Sequence, residues 1–503
     1  MCRWTPSSST DAGSGASVRH LTWFGVGALL VAVAVLYGRA LGYPFVYDDR
    51  VLLEGNVLLG DWSRLGEALG HDLFHGTGVR GSPYWRPVVT FSYFLDHTTG
   101  AGAPWAFHLT NLVLLVSVGA LLARLLTLHH APWPWLLALL WVVLPVQVEA
   151  ACNITGRTDL LAAAFALAAL GARRPWVAAT CLALALGSKE VALTVPVAAW
   201  LLRPADRRLV AMVATCIGWL GARHLVLSGV EVAAADAGGG SLASWGAVGA
   251  HTMWTLLGLV DLRRVAGMEV PEHHFLGLGW LALALAVAAL VVHLRQRAPL
   301  AAAGFGLALA SAGLVSGTAS AALRWGDTLL LLPSVGVVLA AGSLSGGRVK
   351  WALAGLGVLA SVFAVGRVER WSSEEALWRT AHATRPDDAR LRLNLARALV
   401  GISSPEGFGL LVGVEHDDPR IAREIAATRA FHLLELGRAE EALPNLLAAR
   451  ADDPEAAWPN VMACVLLPPA HPEAIPSCEL AASVVPDEPS VWEALERARA
   501  AAD

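Results

Sequence analysis

The sequence is poor in charged residues and contains almost no lysine. Charged side chains make up 16% of the 503 residues, and only Lys189 and Lys350 are lysines among 37 basic residues. The formal net charge is −4. Because nucleic-acid binding depends on an excess of positive charge, we expect no nucleic-acid partner.

The six cysteines form no pattern of metal ligands. They stand at positions 2, 152, 181, 216, 464 and 478, with neither a CxxC pair nor the spacing of a zinc site. We therefore assign no metal ligand and leave the use of a divalent cation open. Cys464 and Cys478 have two interpretations: a disulfide if their domain is extracytoplasmic, or two free buried thiols.

Long hydrophobic runs occupy most of the first 370 residues. The chain is 55% hydrophobic, with a mean hydropathy of +0.54, which is far from the balance of a soluble domain. Residues 21–42 match the ~20 residues that a helix needs to cross a bilayer. Residues 21–370 are thus predicted to be a polytopic helical membrane domain with about 11–12 helices. The further apolar windows are 105–128, 133–148, 158–171, 175–187, 190–202, 208–228, 243–260, 276–294, 299–316, 328–345 and 349–366.

The polar N-terminus and the arginine clusters indicate the orientation. Residues 1–20 are polar, and we predict a disordered cytoplasmic segment before an uncleaved first span. Arg173, Arg174 and the stretch 203–208 mark the same side under the positive-inside rule. The first loop, residues 43–83, is therefore predicted to be extracytoplasmic.

The composition changes near residue 370. From Trp371 onward there are 12 Arg, no Lys and 22 Asp or Glu, which is a net charge of −10, against +6 for the preceding residues. Prolines at 386, 419, 454 and 486 are separated by 33, 35 and 32 residues. A period near ~34 is typical of tetratricopeptide repeats, so we predict an extracytoplasmic α-solenoid over residues 371–503. Such a solenoid either binds peptide on its concave face or only steadies the membrane part.

Ionisable residues gather in segments that alternating crossings would bring to the outer surface. Ionisable groups facing lipid are costly, so these should line a cavity or face water. One Asp can accept the proton of an attacking hydroxyl while Arg or Lys neutralises a phosphate leaving group. Each group also has a structural alternative, such as an Arg157–Asp159 pair or Glu190 stabilising a helix N-terminus. The set comprises Asp48, Asp49, Glu149, Asp159, Glu190, Arg86, Arg157 and Lys189.

Six blocks of the sequence follow one another in a distinctive order. They are "FVYDD" (45–49), "YWRPVVTFSYFLDHTTGAGAPWAFHLTNLVLL" (84–115), "LPVQVEAACNITGRTDLLA" (144–162), "SKEVALTVP" (188–196), "LLLLPSVG" (329–336) and "RWSSEEALWRTAHATRPDDARLRLNLA" (370–396). In this order they resemble the transmembrane and tetratricopeptide-repeat O-mannosyltransferases and their bacterial relatives, a branch of the GT-C glycosyltransferases. The combination covers nearly the whole chain, whereas each block alone would be weak.

The resemblance implies a GT-C-like core, a polyprenyl-phosphate-linked sugar donor and an acceptor Ser or Thr on an extracytoplasmic polypeptide. It implies a catalytic aspartate in the first loop, which is Asp48 or Asp49 here. The implied binders of donor phosphate and sugar are Arg86, Glu149, Arg157, Asp159, Lys189 and Glu190.

One block departs from the family pattern. Relatives usually carry Glu-Arg just before the block at 329–336 and a Tyr within it, where this chain has Asp327, Thr328 and Leu331. Either Arg324 replaces the missing cation from about one helical turn away, or donor choice or activity has changed.

Two classes of function follow. The first is a membrane glycosyltransferase that moves a mannose-like sugar to Ser or Thr hydroxyls, with the repeats engaging the acceptor polypeptide. The alternative is a non-catalytic, membrane-anchored repeat scaffold for protein assembly. A transporter is weaker, because the charges gather at one mouth rather than at mid-membrane. The Arg and Ala content favours a bacterial inner membrane with site and repeats on the periplasmic side, or the endoplasmic reticulum membrane in a eukaryote.

Overall fold

The regular elements of the chain are helices. The computed structural model describes residues 11–78, 82–203, 206–228, 290–319, 331–450, 457–486 and 488–502. Every regular element in these ranges is helical, so the predicted all-α class is confirmed. The chain divides into two units, Met1–Ser372 and Ser373–Asp503, here called the membrane unit and the C-terminal unit.

The membrane unit is a succession of helices joined by short turns. The described helices are α1 (Asp11–Tyr37), α2 (Leu65–Leu69), α3 (Pro87–Gly100), α4 (Pro104–Leu128), α5 (Pro134–Val143), α6 (Gln147–Cys152), α7 (Arg157–Gly171), α8 (Pro175–Leu186), α9 (Val195–Leu202), α10 (Arg208–Leu227), α11 (Pro299–Ala319), α12 (Leu331–Ala341) and α13 (Gly347–Val368). Short 3₁₀ or π turns precede or follow several of them, including Arg50–Glu54, Ile154–Gly156 and Glu190–Thr194.

Prolines set where many of these helices begin. Helices α3, α4, α5 and α8 each start at a proline, namely Pro87, Pro104, Pro134 and Pro175. Proline fits the first helical position because its fixed φ suits the helix and its missing N–H would have no partner there. The chain can thus leave one helix and enter the next within a few residues.

The chain is a multi-pass membrane protein. Five of the described helical segments are long and apolar enough to cross a bilayer: Thr22–Gly42, Pro104–Leu128, Ile154–Gly171, Arg208–Leu227 and Gly347–Trp371. Shorter apolar helices are Pro134–Val143, Pro175–Leu186, Glu190–Leu202, Pro299–Ala312 and Leu331–Ala341. The predicted span at 243–260 and most of that at 276–294 lie outside the described residues, so the total number of helices stays a prediction.

The first helix starts earlier than the sequence pattern indicates. It begins at Asp11, so residues 11–20, predicted as part of a disordered terminus, form its first turns. Extending an existing helix fixes one residue for each hydrogen bond gained, so a polar segment can continue an apolar helix at low cost.

Helix α7 lies at the centre of the membrane unit. Most of its side chains are buried, including the charged Arg157 and Asp159 in its first turn. Alanines make up much of its length, and such small side chains allow neighbouring helices to approach closely. A buried helix that begins with charged residues must supply their partners from the elements around it.

The C-terminal unit is a series of amphipathic helices. Ser373 and Asp388 cap the first two by accepting hydrogen bonds from backbone N–H groups, and Pro419 starts a later helix after the capping Asp418. This proline is therefore the first residue of a helix. The described helices are α14 (Glu374–His382), α15 (Ala389–Ala398), α16 (Ser404–Leu411), α17 (Pro419–Glu435), α18 (Ala439–Arg450), α19 (Ala457–Leu466), α20 (Ala474–Val484) and α21 (Pro489–Ala502).

The two cysteines of the C-terminal unit form a disulfide. Cys464 on α19 and Cys478 on α20 are bonded to each other, and both are buried. Of the two interpretations that the sequence allows, the structure contains the disulfide. The bond joins neighbouring helices, which pack around it with Ala481, Val491 and Leu495.

Candidate functional site

The first loop places its two aspartates in different environments. Tyr47, immediately before them, has a left-handed backbone with a φ of 59°, a conformation that costs a non-glycine residue about 1–2 kcal/mol. Asp49 is 1% exposed, whereas Asp48 is half-buried. The turn thus directs one carboxylate into the protein and leaves its neighbour partly accessible.

Asp49 ties the first loop to the start of α7. Its carboxylate accepts hydrogen bonds from the backbone N–H groups of Ile154, at 3.2 Å, and Thr155, at 2.9 Å. Each carboxylate oxygen has one of these donors. The bonds join residues 105 and 106 positions apart, so Asp49 fixes where the first loop lies against α7.

The same carboxyl group titrates near neutral pH. Burial raises the pKa of Asp49 to about 7, and the negative charge of Asp48 adds to this effect. The two backbone N–H groups favour the carboxylate and oppose the rise. Asp49 therefore changes its charge near neutral pH, while its position is fixed by backbone contacts.

A compact turn presents those two N–H groups. Asn153 accepts hydrogen bonds from the backbone N–H of Thr155, at 3.1 Å, and from its hydroxyl, at 2.8 Å. Gly156 follows, and a Cβ there would lie 2.7 Å from the Cα of Ala150. Only glycine fits so close to another backbone, which explains the glycine in the "GRTD" block.

Arg157 is enclosed by the protein. It is 0% exposed, and its guanidinium donates to the side-chain oxygen of Asn111, at 2.9 Å, and to the carbonyl of Phe107, at 2.7 Å. It also donates to Ser92, at 3.2 Å, and forms an ion pair with Asp96, at 2.5 Å. We call these five residues the arginine anchor, because they tie α7 to α3 and α4.

Asp159 pairs with Lys189. The Lys189 Nζ lies 2.5 Å from the Asp159 carboxylate, and both side chains are largely buried. The structural alternative of an Arg157–Asp159 pair is wrong, because residues two apart on a helix point to different sides. Arg157 pairs with Asp96 on α3, and Asp159 pairs with Lys189 after α8.

Arg86 pairs with Glu190. A guanidinium nitrogen of Arg86 lies 3.2 Å from the Glu190 carboxylate, with the two side chains 12% and 24% exposed. The backbone N–H of Val88 donates to the carbonyl of Gly187, at 3.1 Å, which holds the start of α3 against the end of α8. This contact brings two residues 104 positions apart into one ion pair.

The pairs form one group near the first loop. Arg86 interacts electrostatically with Asp159 as well as Glu190, and the phenol of Tyr93 interacts with Arg86 and Asp48. We call the following residues the polar cluster: Asp48, Arg86, Tyr93, Asp159, Lys189 and Glu190. Four elements supply them, namely the first loop, α3, α7 and the turn after α8.

The remaining candidates from the sequence have other positions. Glu149 lies half-buried on α6, two positions from the buried Gln147. Arg324 lies outside the described residues. Within the ranges that the structure describes, no group of three or more His, Cys, Asp or Glu side chains is arranged to hold a metal ion.

Three residues near the site are not singled out by sequence reasoning. Asp96 and Asn111 bind Arg157, and Tyr93 lies under its guanidinium, 5.0 Å from ring centroid to Cζ. The available signal is their polarity within apolar helices, since buried polar residues in membrane proteins need partners. Sequence does not indicate which partners those are.

Fold and site together define a polytopic helical membrane protein that gathers charged residues beside an extramembrane loop. Several curated proteins match part of the chain. Protein O-mannosyl-transferase Tmtc2 of Drosophila melanogaster is 38% identical over 136 residues, which is 25% of this chain and 14% of that protein. Human Protein O-mannosyl-transferase TMTC2 is 30% identical over 146 residues, 27% of this chain and 17% of that protein.

A third relative covers a longer segment. Protein O-mannosyl-transferase F38B6.6 of Caenorhabditis elegans is 26% identical over 174 residues, 32% of this chain and 24% of that protein. The chain thus matches a quarter or less of the length of each of these relatives. No protein-family profile and no solved structure matches it. The resemblance to the transmembrane and tetratricopeptide-repeat O-mannosyltransferases is confirmed by these matches.

Proposed function

We propose that the protein is a membrane glycosyltransferase that transfers a mannose-like sugar from a polyprenyl phosphate to Ser or Thr hydroxyls of extracytoplasmic proteins. The observation that carries this proposal is the polar cluster, in which Arg86 and Lys189 form ion pairs with carboxylates and the phenol of Tyr93 interacts electrostatically with both Arg86 and the partly accessible Asp48. The similarity to proteins named O-mannosyl-transferases supports the same reaction class.

In this proposal Asp48 is the general base. It takes the proton of the acceptor hydroxyl as the hydroxyl oxygen bonds to the anomeric carbon of the sugar. The bond from that carbon to the phosphate oxygen breaks, and polyprenyl phosphate leaves with the electron pair. Asp49 is then a positioning residue, because both its oxygens already accept backbone hydrogen bonds.

Arg86 and Lys189 would stabilise the phosphate. Both are cations near the first loop, and each is paired with a carboxylate that sets its position. A preorganised cation stabilises the negative charge that builds up on the leaving phosphate. Arg157 has a different part, since its contacts hold α7 in place and so position Asp159.

The compartment follows from the C-terminal unit. Its disulfide supports an oxidising environment, such as the periplasm or the lumen of the endoplasmic reticulum. We propose that this unit engages the acceptor polypeptide. Its net charge of −10 from residue 371 onward favours basic or extended polar segments.

The test is a transfer assay with the full-length protein purified in detergent. A panel of short polyprenyl-phosphate sugars is offered together with Ser- and Thr-containing peptides, and glycopeptide is measured by mass spectrometry. We expect transfer from one donor that depends on Asp48. If no donor yields glycopeptide while the protein remains folded, the non-catalytic scaffold is the better description.

A further inference from the structure

The hydroxyl of Tyr93 is a buried polar group without a hydrogen bond to any described residue. Tyr93 is 2% exposed, and its oxygen has no hydrogen-bond partner among the residues that the structure describes. It lies on α3, seven residues after Arg86, which precedes the first helical residue, Pro87. Its phenol interacts electrostatically with the Arg86 guanidinium.

The ring of Tyr93 is held firmly. The guanidinium of Arg157 lies over it at 5.0 Å, and the ring of Phe107 lies 6.2 Å away. Val89, one turn earlier on α3, is also fully buried in the same hydrophobic cluster. With the ring fixed on these sides, the hydroxyl cannot turn away to find another partner.

Two further polar atoms of the polar cluster resemble the Tyr93 hydroxyl in being buried without a hydrogen bond to a described residue. The Nε of Arg86 and the Oε1 of Glu190 are buried and have no hydrogen-bond partner within the described part of the chain. Buried polar groups in native proteins are almost always hydrogen-bonded, and each exception needs an explanation such as a bound molecule. Three unmet groups from two elements, all in one cluster, point to a ligand that donates and accepts hydrogen bonds.

Two of the charged groups around Tyr93 are cations, which attract an anionic ligand group, and two are carboxylates, which repel it. The Tyr93 phenol interacts electrostatically with the guanidinium groups of Arg157 and Arg86 and with the first-loop aspartates. Both guanidinium groups pair with carboxylates, Arg157 with Asp96 and Arg86 with Glu190, and the Nε–H of Arg86 has no hydrogen-bond partner among the described residues. The Tyr93 phenol and the Arg86 Nε–H are both hydrogen-bond donors, and such donors suit phosphate oxygens.

We propose that the Tyr93 hydroxyl donates a hydrogen bond to a phosphate oxygen of the lipid-linked donor. This inference rests on the proposed function and adds a substrate-binding residue to it. It also explains why a tyrosine occupies a site that phenylalanine would fill equally well in the empty protein. Substrate binding then satisfies a group that is costly to leave unpaired.

The experiment compares Tyr93→Phe with Tyr37→Phe in the full-length protein. Tyr37 is the matched control, because it is 0% exposed and its hydroxyl already donates to the carbonyl of Val142, at 2.8 Å. We expect Tyr93→Phe to raise the KM for the donor about tenfold, with a smaller change in kcat and no loss of thermal stability. Tyr37→Phe should lower thermal stability and leave the donor KM unchanged.

A binding measurement separates this inference from the proposed function. Short polyprenyl phosphate without sugar is added to the wild-type protein and to Tyr93→Phe, and the shift in melting temperature is recorded. A larger shift for the wild type supports the inference even if no sugar is transferred. Equal shifts, no shift in either protein, or an unchanged donor KM would overturn it.

Discussion

Two arginines of the membrane unit each form an ion pair with a carboxylate, yet their surroundings differ. Arg157 donates to Asn111, Phe107 and Ser92 and pairs with Asp96, and it is 0% exposed. Arg86 pairs with Glu190, is partly exposed, and keeps an Nε without a hydrogen-bond partner among the described residues.

The difference separates a structural charge from a binding charge. When all the hydrogen-bond donors of a buried cation have protein partners, none is available to a ligand. The role of the cation is then to hold the surrounding elements in place. A buried donor without a hydrogen bond destabilises the ligand-free protein, and it gains a partner when a ligand binds. Arg157 is of the first kind, and Arg86 is of the second.

The largest effect should come from breaking the arginine anchor. Arg157→Gln leaves Asp96 buried without its cation, and breaking a buried pair costs about 3–5 kcal/mol. We expect little folded protein, measured as the monodisperse fraction on size-exclusion chromatography in detergent. A normal yield of Arg157→Gln with selective loss of transfer would place Arg157 in the binding site instead.

The next effect concerns the two aspartates. Asp48→Asn removes the proposed base and should lower kcat about 10²–10⁴-fold without changing the folded yield. Asp49→Asn should lower the yield, because an amide can accept only one of the two hydrogen bonds from Ile154 and Thr155. The assays are transfer rate and melting temperature, and the reverse pattern would exchange the roles of the two residues.

Arg86→Gln repeats the first substitution at the other arginine. Here we expect a normal folded yield and a rise in donor KM of about 10–100-fold, since one charge-assisted hydrogen bond to phosphate is lost. Melting temperature and donor titration measure the two quantities. Equal loss of yield in Arg86→Gln and Arg157→Gln would remove the distinction between the two arginines.

The smallest effect is a pH dependence at Asp49. Its pKa is raised from 3.8 to about 7 in the folded protein, so the stabilisation is complete below about pH 4 and is lost as the pH rises to about 7. Compared with Asp49→Asn, the wild type should lose a few degrees of melting temperature across this window, and the difference should be flat above it. A constant difference from pH 4 to pH 8 would contradict the raised pKa.

The sequence predicted much of the fold for a simple reason. Helices and membrane spans depend on local patterns, and the apolar windows at 158–171, 175–187 and 208–228 match α7, α8 and α10 closely. The start of α1 was missed because the boundary between a polar tail and a helix depends on weak local preferences. The period of prolines indicated repeated helices in the C-terminal unit but not that Pro419 is the first residue of one of them.

For the candidate site, the sequence predicted most of the charged residues but not the contacts among them. Composition and motif singled out the charged residues near the outer loops, and the structure brings Asp48, Arg86, Asp159, Lys189 and Glu190 into one cluster. The sequence did not indicate that the Asp49 carboxylate would accept hydrogen bonds from backbone N–H groups, or that Arg157 would pair with Asp96. Tyr93 was not among the predicted residues, because a tyrosine in an apolar helix resembles any other core aromatic.

By itself, the sequence determined the helical class, the membrane-spanning core, the change of charge near residue 370 and the charged residues available to a site. Only the tertiary structure decided which charges pair, which aspartate is buried and which buried polar atoms have no hydrogen bond to a described residue. Those outcomes depend on contacts between residues up to 106 positions apart, as in the bond from Thr155 to Asp49. Local patterns carry no information about such contacts, because helix packing sets them after each helix has formed.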